Sequence, residues 1–300
     1  MLTSKDLRGI VPALPTLVND ADDGLARDDM ARLVDHVYAG GCSGVLPIGG
    51  TGEYGALPHQ TRVEAVAVCA ERSAPGRIVM AGVLDTGYYD AIRAGRDYAA
   101  AGANSLLVLT PYYTNPTQGG IRDYFMRYAD ASPIPILLYE IPYRTRIAIT
   151  PEITHELSRH PNIIGMKACN TDMYHFLQVA AGVDEDFTIL SGEDSLFPLH
   201  MAAGAKGGIV VTASMLPKLW VRMYETLAAG DLPGALAAHR AALPMLKRAF
   251  AETNPGPMKS VLDLFGISAQ RVVMPLEPCD PDLSRALRAE VGKLMQAGAA

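Results

Sequence analysis

The chain has only four cysteines in 300 residues. Cys42, Cys69, Cys169 and Cys279 lie far apart with no C-x-x-C, so neither a thiolate metal cluster nor a disulfide framework is expected. None of the seven histidines stands in an H-E-x-x-H or similar ligand spacing, and no metal site is expected. Basic residues are few, 26 Lys and Arg against 32 Asp and Glu, and they form no run or stripe, which argues against a nucleic-acid partner. Gly, Pro or a charge interrupts every apolar run before it reaches membrane-spanning length, so no membrane partner is expected. The opening MLTSKDLRGIVPALPT lacks the charged start, apolar stretch and small-residue cleavage site of a secretory signal. Together with unpaired cysteines this points to the cytoplasm.

What the chain does have is a repeat. A short apolar run ends in small or polar residues and an amphipathic stretch follows. The runs are 9–16, 44–49, 77–83, 105–110, 134–139, 163–168, 187–191 and 208–212. Their spacing of about 25–35 residues is that of one β/α unit. Helical patterns fall between them at 28–40, 58–72, 87–101, 120–131, 172–181 and 194–203. Strands that are apolar throughout are covered on both faces and therefore parallel. Eight of them alternating with helices predict an α/β fold, a (β/α)8 TIM barrel. After residue 230 the strands stop, and 231–250, 256–265 and 281–297 read as helices. The predicted organisation is a barrel over 1–230 that carries the active site, and a C-terminal helical subdomain over 231–300.

In such barrels chemistry sits at the C-terminal ends of the strands. In the sixth run Ile163, Gly165 and Lys167 share one face, and Ile164, Met166 and Ala168 share the other. The lysine face points into the barrel, with Gly165 leaving room. Apolar surroundings would depress the lysine pKa and free its amine to attack a carbonyl. The strand alone equally allows a lysine that snorkels to solvent. Tyr139 ends the fifth run on the face of Pro135 and Leu137, where a phenol can relay protons or simply cap the core. Arg144 follows on a loop, as a carboxylate fork or a solvated side chain.

The second run leads into Gly49-Gly50-Thr51-Gly52-Glu53. Successive N–H groups in such a turn make an anion nest, and Thr51 adds a donor. Residues 50–55 also match G-x-G-x-x-G, but after the second strand of an eight-strand repeat the match is read as a decoy. Glu53 is assigned to bracing the loop. Tyr112 and Tyr113, among prolines, could form a site wall or a subunit contact. Small residues around Ser191-Gly192-Glu193-Asp194 and Gly207-Gly208 could leave room for a ligand or make turns.

These segments resemble the dihydrodipicolinate synthase/N-acetylneuraminate lyase family, the class I pyruvate-dependent aldolases. The resemblance rests on G-G-T-G-E at 49–53, P-Y-Y-x-x-P-T-Q at 111–118, Y-x-I-P-x-R-T at 139–145, G-M-K at 165–167, S-G-E-D at 191–194 and G-x-x-G-G-I-V-V-T at 204–212, in family order. It implies Lys167 as the Schiff-base lysine and Tyr139 as the proton shuttle. Gly50 and Thr51 would hold the 2-oxo acid carboxylate, and the Ile209 main chain would line the pocket. Arg144 would grip a second substrate's carboxylate, and Tyr113 would reach into a neighbouring subunit's site. The implied assembly is a homotetramer, a dimer of dimers, with no cofactor.

Three positions depart from the synthase pattern. Gly50 stands where a hydroxyl residue is usual, Glu140 where Asn is common, and Ser214 where Asn is frequent. An inward Glu140 would disfavour an acidic second substrate. A lysine feedback site is matched only by His59 and Tyr112 and is not expected. The expected activity is that of a Schiff-base lyase of the synthase type, using pyruvate and aspartate semialdehyde. The alternative is a 2-keto-3-deoxy sugar-acid aldolase or dehydratase of the same family. A dinucleotide-binding oxidoreductase and a non-catalytic 2-oxo acid binder are the remaining readings.

Overall fold

The computed structural model describes residues 2–19 and 21–299. Its strands are β1 (Gly9–Pro12), β2 (Gly44–Val45), β3 (Ile78–Val83), β4 (Ser105–Leu109), β5 (Ile136–Glu140), β6 (Ile163–Ala168), β7 (Thr188–Ser191) and β8 (Gly207–Val210). Each lies inside or within a residue of one of the eight apolar runs, and every strand residue is buried, as covering on both faces requires. The eight strands follow the order β1-β8-β7-β6-β5-β4-β3-β2, and all the paired strands run parallel. A parallel bridge between Ala13 and Leu46 joins β1 to β2 and closes the barrel.

Local chemistry sets the helix starts. Thr117 caps Gln118–Ala131 through Gly120 N–H, and Asp172 caps Met173–Ala180 through Tyr174 and His175 N–H. Pro217 opens Pro217–Ala228, the helix after β8, where a missing N–H costs nothing. Beyond it, Asp231 caps Leu232–Ala249 and Asp280 caps Pro281–Leu294. The stretch predicted as one helix over 256–265 is two short pieces, Gly256–Lys259 and a 3-10 turn Leu262–Phe265.

The C-terminal segment is tied to the mouth of the barrel by polar contacts. Asn254 donates to Thr51 Oγ1 at 2.8 Å, Lys259 pairs with Glu53, and Asp29 accepts from the N–H groups of Ser268 and Ala269. Among the described residues no helix is long and apolar enough to cross a membrane.

Candidate active site

A cavity of about 1120 Å³ opens at the C-terminal ends of the strands. Lys167 and Tyr139 line it, as do Gly50, Thr51 and Arg144. Tyr139 and Lys167 are direct partners in the β5–β6 register, so parallel pairing puts both side chains on the same inner face. Lys167 is 4% exposed, and its Nζ stands 4.7 Å from the centroid of the Tyr139 ring. The snorkelling alternative is therefore set aside.

The glycine that makes space for the lysine is not Gly165. A Cβ on Gly165 would fall 2.3 Å from the Thr188 carbonyl oxygen, so that glycine serves strand approach instead. A Cβ on Gly192, after β7, would lie 2.8 Å from Lys167 Cγ and 2.2 Å from Cys169 Sγ. Gly192 is what lets the lysine chain pass.

The expected drop in the Lys167 pKa is also corrected. Burial lowers it, but the nearby Tyr139, Cys169, Glu193 and Asp194 more than offset that cost, and the ammonium stands above the ordinary lysine value. Burial raises the Tyr139 phenol, which stays protonated at neutral pH and can give a proton before it takes one. With the lysine mostly ammonium at neutrality, its free-amine fraction grows with pH. Trapping of pyruvate by borohydride, at sub-saturating pyruvate, should then rise by about tenfold per unit from pH 7 to 9. A plateau below pH 8 would contradict the raised lysine.

The glycine loop is held from several sides. Thr16 Oγ1 donates to the Gly52 carbonyl, and a Cβ on Gly52 would meet the Ile48 backbone at 2.6 Å. Glu53 sits in the left-handed region with φ 56°. Its carboxylate accepts from Val273 N–H and pairs with Lys259, so it braces the loop. The residues matching G-x-G-x-x-G lead into a 3-10 turn at Tyr54–Ala56, and the long helix His59–Arg72 starts only afterwards. The strand-to-helix junction that carries a pyrophosphate is therefore missing from this loop.

The remaining residues divide. Arg144 lies on the short helix Pro142–Thr145, facing Gly50. Ile209 is fully buried on β8 and its side chain does not line the cavity; Val211 does. Tyr113 is 88% exposed with φ 70° and stands outside the cavity of its own chain. Glu140 points outward, away from the cavity: its Oε1 accepts from Ile149 N–H and faces His175 Nε2 at 3.2 Å. That contact raises the His175 pKa. The concern about an acidic second substrate is thereby removed. Ser214 is also remote, bonded to the Ala13 carbonyl where the barrel closes.

Several lining residues were not read as functional from the sequence. Glu193 was legible only as part of S-G-E-D. Asn254 sits in an Asn-Pro-Gly-Pro turn of a region with no strand, and nothing local connects it to Thr51. Leu246 and Lys247 come from the helix Leu232–Ala249, Phe250 follows its last residue, and all three line the cavity.

Comparison with known proteins agrees with the fold. The sequence profile described as the Dihydrodipicolinate synthetase family matches residues 6–294. The 4-hydroxy-tetrahydrodipicolinate synthase of Methanoculleus marisnigri is 33% identical over 283 residues, 93% of this chain and 97% of that protein. The protein of the same name from Gluconobacter oxydans is 34% identical, covering 96% of each. Among solved structures, dihydrodipicolinate synthase from Aquifex aeolicus superposes with a TM-score of 0.91 at 28% identity, over 98% of this chain and 99% of that one. The Thermotoga maritima enzyme gives 0.92 at 26%, with the same coverage.

Proposed function

The chain belongs to the dihydrodipicolinate synthetase family, whose members are class I lyases and aldolases, and on that premise we propose that Lys167 forms a Schiff base with pyruvate and that the resulting enamine adds to aspartate semialdehyde. The observation that carries this reading is the buried Lys167 beside Tyr139 in a cavity that also holds Thr51 and Arg144.

The Lys167 amine attacks the pyruvate C2 carbonyl and gives a carbinolamine. Tyr139 donates a proton to the departing hydroxyl, and the iminium forms with loss of water. The iminium withdraws electrons from C3, a C3 proton passes to the Tyr139 phenolate, and the neutral phenol and the enamine result. Thr51 and the Gly50 backbone hold the pyruvate carboxylate, with the Ile209 main chain nearby. Arg144, an exposed fork at the cavity edge, takes the acceptor's carboxylate. The exposed Tyr113 completes a neighbouring site in a homotetramer, a dimer of dimers. The enzyme works in the cytoplasm without a cofactor, and the helical part over 231–300 supplies the outer cavity wall.

The test is a coupled assay with pyruvate and aspartate semialdehyde, beside borohydride reduction with pyruvate and peptide mapping. Turnover together with an adduct on Lys167 is expected. Absence of the adduct would sink the Schiff-base reading.

One observation favours a second reading, a 2-keto-3-deoxy sugar-acid aldolase or dehydratase. Gly50 offers no hydroxyl, and a Cβ there would sit in ordinary van der Waals contact, 3.8 Å from Tyr139 Oη and 3.7 Å from Arg144 Nη1. Gly50→Ser should therefore fit, and on the synthase reading it restores a hydroxyl beside Tyr139. Turnover with aspartate semialdehyde should then rise by about tenfold or more. An unchanged rate with this acceptor, alongside cleavage of a 2-oxo-3-deoxy acid by the wild type, would favour the sugar-acid reading.

A further inference from the structure

Two neighbouring carboxyl groups follow β7, and the structure uses them differently. Asp194 is fully engaged: Oδ1 accepts from the N–H and hydroxyl of Thr212, and Oδ2 from Val211 N–H. It ties the end of β7 to the end of β8. Glu193 lines the cavity, and its Oε1 is buried without a hydrogen-bond partner. A buried carboxylate oxygen without a donor is costly, and the cost vanishes when the carboxyl carries a proton or meets a ligand. Burial pushes the Glu193 carboxyl up to about 7. The Tyr143 phenol opposes that rise, Asp194 adds to it, and Lys167 and Arg144 oppose it.

The position matters as much as the charge. β5 and β7 both pair with β6, so Tyr139 and Glu193 approach Lys167 from its two neighbouring strands. Gly192 packs against the lysine chain and brings the following residue to the cavity wall. On the Tyr139 side, Gly50 supplies no hydroxyl to pass a proton onward. Cys169 is pushed up to about 12 and stays a neutral thiol, so it cannot do this work at neutral pH. Lys247 and Glu252 also face the cavity, from the helix Leu232–Ala249 and the turn after it.

We propose that Glu193 is the general acid of the acceptor half-reaction, protonating the acceptor oxygen as the enamine attacks. This rests on the Schiff-base reading above. The enamine π pair becomes the new C–C bond, and the nitrogen lone pair re-forms the iminium. The aldehyde π pair moves to oxygen and takes the Glu193 proton, leaving an alcohol and a carboxylate. Water hydrolyses the iminium and releases the product, with Lys167 as the ammonium. Glu193 regains its proton from solvent at the cavity mouth, and Lys167 loses one there. In the cleavage direction the Glu193 carboxylate removes the hydroxyl proton.

Glu193→Gln and Glu193→Asp in the full chain test this with three readouts. Borohydride trapping of pyruvate on Lys167 reports the imine, and deuterium exchange at the pyruvate methyl reports the enamine. Single-turnover condensation reports C–C bond formation, using aspartate semialdehyde or, if it reacts faster, glyceraldehyde. In Glu193→Gln, trapping and exchange should stay within about threefold of wild type, while condensation falls by about 10²–10³-fold. The alkaline limb of wild-type condensation, started from enamine pre-formed at saturating pyruvate and with a midpoint near the carboxyl value of about 7, should vanish in Glu193→Gln. Glu193→Asp, which keeps an acid, should recover part of the rate. The assignment is overturned if Glu193→Gln condenses within threefold of wild type, or if trapping falls as far as condensation. Loss of trapping in the wild type itself would instead strike the Schiff-base reading.

Discussion

Lys167→Ala is expected to eliminate the borohydride adduct with pyruvate and to lower turnover by on the order of 10⁴-fold or more, as loss of a covalent nucleophile does. No other amine can take over the same work. Among the residues lining the cavity the only other lysine is Lys247, on the exposed face of its helix in the outer part of the pocket. Tyr139 is paired with position 167 in the sheet and cannot serve a nucleophile elsewhere. The fold should tolerate the change, because it removes a buried ammonium along with its apolar stem, and the vacated space opens on an existing cavity. A circular-dichroism melt close to wild type, combined with absent trapping, is the expected pair of results. An adduct persisting in Lys167→Ala would move the Schiff base to another residue.

The second large effect is on stability. Lys259 is fully buried, its Nζ paired with Glu53 and bonded to the Arg271 carbonyl at 2.7 Å. Burial lowers the Lys259 pKa, with the Glu53 charge acting against that. Lys259→Met fills similar volume but leaves the Glu53 carboxylate buried with only Val273 N–H as a donor. Breaking one side of a buried pair costs about 3–5 kcal/mol. A urea midpoint should drop accordingly. The double variant Glu53→Gln with Lys259→Met should recover part of the loss, because no charge is then stranded. A loss below about 1 kcal/mol in the single variant would show that the pair carries little. Because Glu53 ends the loop of Gly50 and Thr51, the surviving folded fraction should also bind pyruvate less well, as a raised KM.

Much of this arrangement was legible in the chain. Eight apolar runs found the eight strands because a parallel strand buried on both faces is apolar throughout, which leaves a mark in one dimension. Strand alternation put Lys167 and Tyr139 on inner faces, but alternation cannot say that two strands are neighbours in register. The pairing of Tyr139 with Lys167 made one site of two separate possibilities. Alternation applied to Glu140 places it on the face opposite Tyr139, pointing outward; the departure from the family's usual Asn carries no direction by itself.

By itself, then, the sequence determined the barrel and singled out Lys167, the proposed Schiff-base lysine, with its motif partners. These rest on period-two and β/α spacing and on short segments in order. The tertiary structure alone decided the electrostatics and the supports: the raised Lys167, Glu193 beside it, Gly192 as the glycine that clears its path, and Asn254 and Lys259 holding the loop over some 200 residues of chain. The physical reason is range. Hydrophobic periodicity is local and is written residue by residue, whereas burial, charge pairing and room for a side chain depend on groups that meet only when the barrel closes.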